Sequence, residues 1–451
     1  MKDSSMPLTL RPDSRLRSSR DGRVLLGGAP SRMLRLTPSG ARMVRAWLAG
    51  QPVGDAPAAR ALAQRLLTAG LVHPHATAGR RTVDEVSMVT PVKDNEAGIA
   101  RLLAATTELA TRVIVDDGSV TPLASATVRH RRARGPGAAR NSGLREVRTE
   151  LVAFLDSDVV PDPGWLDTVL PLFDDPAVAA VAPRVRTFAH GVLGRYEARR
   201  SSLDMGGEPA LVRPGSRIGY VPSAALVVRR TALAELGGFD ETLRYGEDVD
   251  LIWRLVAAGH VVRYQPEAVV RHAPRATLRA WLRQRYDYGT SAAPLAARHP
   301  GQLYCARLPR TTGWRWLTVV AGHPGLASAT VGAPVRKLRE LRGHGLPLST
   351  AVSVVGAAEL AAVAQLADAL RRIWWPAALL SRRGRRLLLA VYLPTAAGAA
   401  VRGRDPRAAL LRIADDLAYG AGVWASCLRS RRVEPLLPQL YRTGVSADAT
   451  R

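Results

Sequence analysis

Hydrophobic residues in the middle of the chain alternate between two spacings. Between about residues 86 and 285, short apolar runs that predict buried strands are separated by segments whose apolar residues recur at helical spacing. The predicted strands are 86–92, 112–117, 151–156 and 178–185, and the predicted helices are 97–110, 137–147, 165–173 and 249–260. This order predicts an α/β domain with a mostly parallel sheet covered by helices on both faces.

The first 80 residues follow another pattern, in which short strand-like segments precede two amphipathic helices. The predicted strands are 8–12 and 23–28, and the predicted helices are 38–49 and 56–69. Thr37 suits the capping position before the first helix, Pro38 its first turn and Gly50 its end. These elements predict a winged-helix-like unit, either a binding module or a structural cap, and residues 75–85 predict a linker after it.

The C-terminal third is predicted to be helical and basic. A membrane span needs about 20 apolar residues. The window 351–370 contains Glu359 and Asp368, and the window 387–401 contains Pro394. Because arginine clusters lie near both windows, we predict helices that lie on an anionic membrane surface, with two ordinary packed helices as the alternative.

Composition narrows the classes of function. The chain has 451 residues, 47% of them hydrophobic, which suits two or three domains with buried cores. Its net charge of +26 indicates an anionic partner, unless a GC-rich genome accounts for the arginines. Aromatic residues make up 5% of the chain and few stand beside basic ones, which disfavours nucleic-acid binding. Two cysteines exclude a disulfide scaffold, and the N-terminus has no apolar signal segment, so a cytoplasmic protein is expected.

Residues suited to ligand chemistry stand at the ends of three predicted strands. They are Thr90 and Pro91, then Asp116 and Asp117, then Asp156 and Asp158. Ligands of open α/β sheets bind beyond the carboxyl ends of the strands, so we expect these residues in one site. The last pair predicts a Mg²⁺ or Mn²⁺ site that holds a diphosphate, with a solvated turn as the alternative. The middle pair suits a nucleotide base or ribose, with an ordinary Asp-Gly turn as the alternative.

Five motifs between residues 86 and 285 resemble those of the family 2 glycosyltransferases, whose nucleotide-sugar fold is called GT-A. They are TPVKDNEAGIARLL (90–103), VIVDDGS (113–119), GPGAARNSGL (135–144), FLDSD (154–158) and GGFDETLRYGEDVDLIWRL (237–255). The resemblance implies a transferase that uses a UDP-sugar donor and a divalent metal. The Gln-x-x-Arg-Trp element of processive polymer synthases is not clearly present, which disfavours the synthesis of a long polysaccharide.

The resemblance also implies roles for individual residues. For the nucleotide sugar they are Thr90, Pro91, Asp116, Asp117, Arg140 and Asp156, and for the metal they are Asp156, Asp158 and His272. Asp248 matches the position of the catalytic base, with Glu247 beside it, and would take the acceptor proton in a single inverting displacement. Judged without the motifs, Arg140 could belong to a surface loop, His272 could be structural, and Glu247-Asp248 could be an acidic helix start.

The N-terminal unit resembles PqqD-like modules, which bind precursor peptides of ribosomal natural products. Such a unit fused to a family 2 catalytic domain resembles the glycosyltransferases of mycofactocin biosynthesis. That resemblance implies transfer of glucose from UDP-glucose, as a β-linked oligosaccharide, to mycofactocin or its precursor. The expected domains are a PqqD-like module (1–80), a GT-A domain (81–299) and a helical, basic region at the inner face of the membrane (300–451). A cell-envelope lipid or glycan is the alternative acceptor.

Overall fold

The computed structural model describes residues 8–75, 79–328, 330, 332–403 and 405–441. Within the chain, contacts define two compact units. The first comprises Met1–Ser14, Gly28–Pro30 and Ala46–Arg275, and the second comprises Arg15–Gly27, Ser31–Arg45 and Ala276–Arg451. Part of the predicted linker, residues 76–78, and the end of the predicted C-terminal region, residues 442–451, lie outside the described residues.

The first 75 residues contain both helices that the sequence predicts. The elements are β1 (Thr9–Pro12), β2 (Arg17–Ser18), β3 (Val24–Gly27), β4 (Arg32–Arg35), α1 (Pro38–Leu48), α2 (Pro57–Ala69) and β5 (Val72–His75). Strands β2, β3 and β4 form an antiparallel sheet, and β1 pairs with β5. The Thr37 hydroxyl accepts a hydrogen bond from the Gly40 amide at 3.1 Å, as expected of a cap. Gly70 ends α2 with a φ of 68°.

The first unit is built on a large mixed sheet. Its elements are β6 (Val86–Val92), α3 (Glu96–Ala104), β7 (Thr111–Asp116), β8 (Val128–Arg129), α4 (Pro136–Glu146), β9 (Leu151–Leu155), β10 (Val159–Pro161), β11 (Val178–Thr187), α5 (Gly191–Arg200), β12 (Ala210–Leu211), β13 (Ala225–Arg229), α6 (Arg230–Glu235), α7 (Glu247–Ala257) and β14 (Val261–His272). The strand order is β10-β14-β11-β13-β9-β6-β7-β8, with β12 beside β14. All four predicted strands are confirmed.

The sheet is less parallel than the sequence predicts. Strands β9, β6, β7 and β8 run parallel, whereas β13 is antiparallel to both of its neighbours. The helix predicted at 165–173 is wrong, because a short 3₁₀ turn, Leu170–Asp174, lies there. Pro171 explains the difference, since it has no amide hydrogen and its ring obstructs the preceding α-helical turn.

Parallel pairing brings the ends of β6, β7 and β9 to one edge of the sheet. Val92 pairs with Asp116 in the register of β6 and β7, and the Asp117 amide donates to the Val92 carbonyl at 2.8 Å. Every residue of β9 is buried, as expected of a strand covered on both faces. The residues directly after these strands therefore emerge together at the carboxyl edge.

The second unit is mainly helical, as the sequence predicts for its C-terminal part. Its elements after residue 276 are α8 (Leu278–Thr290), α9 (Ala292–Arg298), β15 (Ala306–Pro309), α10 (Arg310–Ala321), α11 (Pro324–Ser328), α12 (Gly332–Gly343), α13 (Leu348–Arg372), α14 (Trp375–Leu379), α15 (Arg382–Gly403), α16 (Arg407–Ser430) and β16 (Pro438–Tyr441). Glycines let α8 and α16 pack closely. A Cβ on Gly422 would lie 2.0 Å from the Tyr286 carbonyl oxygen.

Helices α13 and α15 each expose an apolar face. The large residues on these faces are Leu348, Val352 and Leu360 of α13 and Leu389, Leu393 and Val401 of α15. Their spacings of four and eight residues place each set on one side of its helix. Among the described residues, α13 is the one helix whose length and mean hydropathy of 1.6 would suffice to cross a membrane.

A charged residue in the middle of α13 is bound by α10. Glu359 accepts a hydrogen bond from the Trp316 indole at 3.0 Å and forms an ion pair with Arg315 at 2.8 Å, both on α10. The charge of Glu359 is therefore offset by Arg315.

Candidate active site

Asp158 and His272 meet where β10 and β14 pair. His272 ends β14 opposite Val159, and the Ala273 amide donates to the Asp158 carbonyl at 2.9 Å. Asp158 Oδ2 lies 3.3 Å from His272 Nε2 and 3.5 Å from a guanidinium nitrogen of Arg275. Although burial acts to raise the pKa of Asp158, His272 and Arg275 hold it below the ordinary value.

The contact between Asp158 and His272 suits a divalent cation. Carboxylate oxygen and imidazole nitrogen both bind Mn²⁺, and the other ring nitrogen of His272 is buried and has no hydrogen-bond partner in the part of the chain that the structure describes. Within the described residues, no three His, Cys, Asp or Glu side chains converge closely enough to hold a metal ion. The pair therefore fits an ion that takes its remaining ligands from a bound phosphate group and water.

Asp156, the other predicted metal ligand, forms an ion pair with Arg140. The Arg140 guanidinium is 3% exposed and donates to Asp156 Oδ1 at 2.7 Å and to Glu247 Oε1 at 2.8 Å. It also lies over the Phe239 ring, 5.3 Å from the ring centroid. Both of its terminal nitrogens thus donate to carboxylates, so a phosphate contact of the kind predicted for Arg140 would have to compete with them.

Glu247 and Asp248 begin helix α7, directly after Gly246, whose φ is 82°. Asp248 is partly exposed, and its two oxygens accept hydrogen bonds from the Val249 amide at 2.8 Å and the Ser223 amide at 3.3 Å. Burial raises the pKa of Asp248. Burial, with the charge of Asp248 as the second cause, raises the pKa of Glu247 to about 7. The site therefore holds a fixed carboxylate with a high proton affinity, which suits a general base.

Thr90, Pro91 and Asp116 lie where the sequence places them, near the carboxyl ends of β6 and β7. Thr90 is fully buried, and its hydroxyl has no hydrogen-bond partner among the described residues. Asp116 is also fully buried and accepts a hydrogen bond from the Ser119 amide at 2.8 Å. Pro91 is partly exposed. The roles of all three toward a nucleotide stay predictions.

Asp117 holds the loop that leads into α4. Its oxygens accept hydrogen bonds from the Arg134 and Gly135 amides, each at 2.8 Å. His130 Nδ1 lies 2.7 Å from Asp117, and its other ring nitrogen lies 2.9 Å from the Ser142 hydroxyl. His130 was not among the predicted site residues, because nothing in its sequence context marks it as a partner of Asp117.

Two asparagines outside the predicted site tie its loops together. The Asn95 amide donates to the carbonyl and hydroxyl oxygens of Ser157, each at 3.1 Å, and so joins the β6–α3 loop to the Asp-Ser-Asp segment. Asn141 exchanges hydrogen bonds with the backbone of Phe239, at 2.8 Å in both directions. A Cβ on Gly238 would lie 2.5 Å from the Asn141 amide oxygen, so this contact requires glycine there. Asn95 was detectable only as a helix cap.

A family model and several relatives match the chain. The Glycosyl transferase family 2 model matches residues 87–237, which include every predicted site residue up to Asp158. The pre-mycofactocin glycosyltransferase of Mycobacterium tuberculosis is 40% identical over 462 residues, covering 95% of this chain and 97% of that protein. The succinoglycan biosynthesis protein ExoU of Rhizobium meliloti is 32% identical over 197 residues, covering 39% of this chain and 58% of that protein.

A solved structure also resembles the chain. The mannosyltransferase PcManGT from Pyrobaculum calidifontis, in complex with GDP-Man and Mn²⁺, is 18% identical with a TM-score of 0.46. The match covers 78% of this chain and 90% of that chain.

Proposed function

This chain belongs to the family 2 glycosyltransferases, and since its relative over nearly the whole length is a pre-mycofactocin glycosyltransferase, we propose that it transfers a hexose from a nucleotide sugar to pre-mycofactocin. That whole-length similarity is the observation that carries the choice of acceptor. Glucose from UDP-glucose, added through a β linkage, is the proposed donor chemistry.

The donor binds at the carboxyl edge of the sheet in this proposal. Thr90, Pro91, Asp116 and Asp117 border the base and ribose, and Asp158 and His272, with Asp156 nearby, hold a divalent metal. A Mg²⁺ or Mn²⁺ ion, when bound, would offset the charge of the leaving diphosphate. Arg275, which is half-exposed beside Asp158, is placed to contact the same diphosphate.

Asp248 is the proposed base. Its oxygens are oriented by the Ser223 and Val249 amides, so the carboxylate stays fixed while it accepts the proton of the acceptor hydroxyl. As that oxygen attacks the anomeric carbon, the bond to the diphosphate breaks, and one displacement inverts the configuration. Glu247, beside Asp248, pairs with Arg140 and supports this end of α7.

We further propose that residues 1–80 form a PqqD-like module that receives the precursor peptide. The two helices and the small sheet there supply surfaces for a peptide. The helical region from about residue 300 remains the third proposed part of the chain. Neither part contributes a residue to the proposed chemistry.

The proposed function is tested by mixing the purified protein with UDP-glucose, Mn²⁺ and pre-mycofactocin and following the acceptor by mass spectrometry. Hexose additions that stop when EDTA is added are expected. Metal-dependent UDP release without transfer would keep the glycosyltransferase and reject the acceptor. A lack of UDP or GDP release from any nucleotide sugar would reject the proposed reaction.

The rate of transfer is expected to fall as the pH is lowered, because Asp248 must be ionised to accept a proton. Burial raises the pKa of Asp248, and the pKa of Glu247 is about 7. Glu247 therefore loses its charge as the pH falls through about 7, and Asp248 loses its charge at a pH above the ordinary aspartate value of about 3.9. We would measure kcat across this range with circular dichroism as the control. A kcat that stays constant down to about pH 3.9, the ordinary aspartate value, in folded protein would contradict this expectation.

We also propose that the protein binds the cytoplasmic surface of an anionic membrane through the apolar faces of α13 and α15. Four exposed arginines stand at the start of α15: Arg382, Arg383, Arg385 and Arg386. Helix α15 has no acidic residue, and its exposed leucines follow this cluster. Leucines that enter the headgroup layer beside arginines that meet anionic lipids are typical of helices that lie on membranes.

Replacing Leu389 and Leu393 by serine is expected to weaken binding to anionic vesicles at least tenfold, because each leucine loses about 1.5 kcal/mol or more of burial in lipid. Cosedimentation with phosphatidylglycerol vesicles measures this. Val120→Ser, at an exposed apolar residue of the first unit, is the matched control. Equal binding of the double variant and the control, or equal binding of the wild type to neutral vesicles, would reject this surface.

A further inference from the structure

Arg140 connects two parts of the candidate site that are distant in sequence. It lies in α4, while its partners Asp156 and Glu247 follow β9 and begin α7, 16 and 107 residues away. Both hydrogen bonds are shorter than 3 Å, and the Arg140 side chain is 3% exposed. Removing one partner of a buried ion pair is strongly destabilising, because the other charge stays buried and unpaired. The two carboxylates therefore hold the Arg140 guanidinium in a well-defined position.

Neighbouring contacts hold Arg140 in this position. The Phe239 ring lies against the guanidinium, and the backbone of Phe239 is bound on both sides by Asn141, the next residue of α4. The helix and the loop before α7 are thereby joined independently of the ion pairs. Loss of the guanidinium alone would leave this backbone contact in place.

The two partners of Arg140 stand beside the two groups proposed to do chemistry. Asp156 is two residues from Asp158, which meets His272 on the donor side, and Glu247 is bonded in sequence to Asp248. The Arg140 guanidinium therefore spans from the donor side to the base. A planar guanidinium can bind two carboxylates in fixed directions, whereas the ammonium of lysine cannot reproduce that geometry.

We propose that Arg140 is a positioning residue that fixes the base Asp248 relative to the donor by clamping Asp156 and Glu247, rather than a ligand of the donor phosphates. This inference rests on the proposed glycosyl transfer. Displacement of a reacting group by about 1 Å can cost about 100-fold in rate, so the clamp acts on kcat. The affinity for UDP depends little on it, because both terminal nitrogens of Arg140 already donate to carboxylates.

The test compares Arg140→Met and Arg140→Lys with Arg145→Met. Arg145 is an exposed arginine of the same helix that donates to the Ser142 hydroxyl. Steady-state kinetics with UDP-glucose and calorimetric titration with UDP and Mn²⁺ separate rate from binding. For Arg140→Met we expect kcat to fall about 100-fold while the Kd for UDP changes only a few-fold. Arg140→Lys should recover part of kcat, and Arg145→Met should resemble the wild type.

A large rise in the Kd for UDP in Arg140→Met would overturn the inference and make Arg140 a donor ligand. An unchanged kcat in this variant would also overturn the inference. If that variant fails to fold by circular dichroism, Glu247→Gln provides the second test. It keeps the ion pair of Arg140 with Asp156 and weakens the contact to α7, and the same separation of kcat from Kd is expected. Failure of the proposed reaction is recognised separately, because the wild type would then transfer no sugar. The UDP titrations would still show whether Arg140 is a positioning residue or a ligand of the donor.

Discussion

Asp248→Asn is expected to lower kcat by about 10²- to 10⁴-fold while the affinity for UDP and Mn²⁺ stays nearly unchanged. The amide cannot accept the proton of the acceptor hydroxyl, so the attacking oxygen is not activated. Binding survives because Asp248 is not among the residues proposed to hold the donor or the metal. The amide oxygen of the variant can still accept from one of the two backbone amides, Ser223 or Val249, that bind separate oxygens of Asp248. Single-turnover transfer and calorimetric titration with UDP measure the two quantities on the same preparation.

Asp250→Asn is the matched control, because Asp250 lies in the same helical turn but pairs with Arg254, at 2.7 Å. This variant should lose stability through its weakened ion pair and yet turn over at a near-normal rate once folded. Asp248→Asn with a near-normal rate would show that another group accepts the proton. Equal losses in both variants would indicate that damage to α7, rather than loss of a base, slows the reaction.

Asp158→Asn is expected to abolish measurable turnover and to remove the gain in UDP affinity that Mn²⁺ provides. The carboxylate supplies the charge that holds the metal, and metal stabilisation of a leaving group is worth several kcal/mol, or about 10³-fold in rate. Without that charge, His272 and Arg275 remain at the site and can still contact phosphate weakly. Titration of UDP with and without Mn²⁺ therefore shows the loss directly.

Asp162→Asn controls for this change, since Asp162 lies shortly after Asp158 and its carboxylate binds Arg271 through two hydrogen bonds, at 2.7 and 3.0 Å. Its UDP affinity should keep the full response to Mn²⁺. Should Asp158→Asn keep that response as well, Asp158 is not the metal ligand. The two variants are thus expected to lose different properties. Asp158→Asn loses metal-dependent binding of UDP, whereas Asp248→Asn loses only the rate of transfer.

The sequence predicted the α/β fold and the edge of the sheet at which the predicted site residues lie. Buried strands are visible as apolar runs, and the α/β core that they predict is the one the chain has, while the five motifs pointed to a family 2 glycosyltransferase. Asp158 and His272, two of the residues predicted to bind the metal, are in contact. Their role toward a metal stays a prediction, with a structural histidine as the alternative. These features depend on local composition and on the order of motifs along the chain.

The direction of the charged side chains at the site was not predictable. Arg140 seemed suited to phosphate because it follows a glycine-rich loop, yet its partner Glu247 stands 107 residues away. The partners of Asp117 were equally unpredictable, since its carboxylate accepts hydrogen bonds from amides of the loop before α4, 17 and 18 residues further on. Such pairs depend on how α4 packs against the sheet, and neither spacing nor propensity encodes that packing.

The partners of Glu359 in α13 were also hidden in its sequence. Glu359 lowers the average hydropathy of the helix and counted against a membrane span. In the folded chain this carboxylate binds Arg315 and Trp316 of α10, so its charge is offset within the protein. An average hydropathy along a helix carries no information about such partners.

Pro394 sets a limit on how α15 can meet lipid. It lies inside the helix among the exposed leucines, and because proline has no amide hydrogen, the carbonyl of Ala390 one turn earlier loses its helical donor. Water and lipid headgroups can donate to that oxygen, but hydrocarbon cannot, and an unsatisfied backbone group there costs several kcal/mol. If α15 lies on a bilayer, Pro394 therefore limits the depth of insertion. The exposed leucines can enter the bilayer only as far as the Ala390 carbonyl still meets hydrogen-bond donors of water or headgroups.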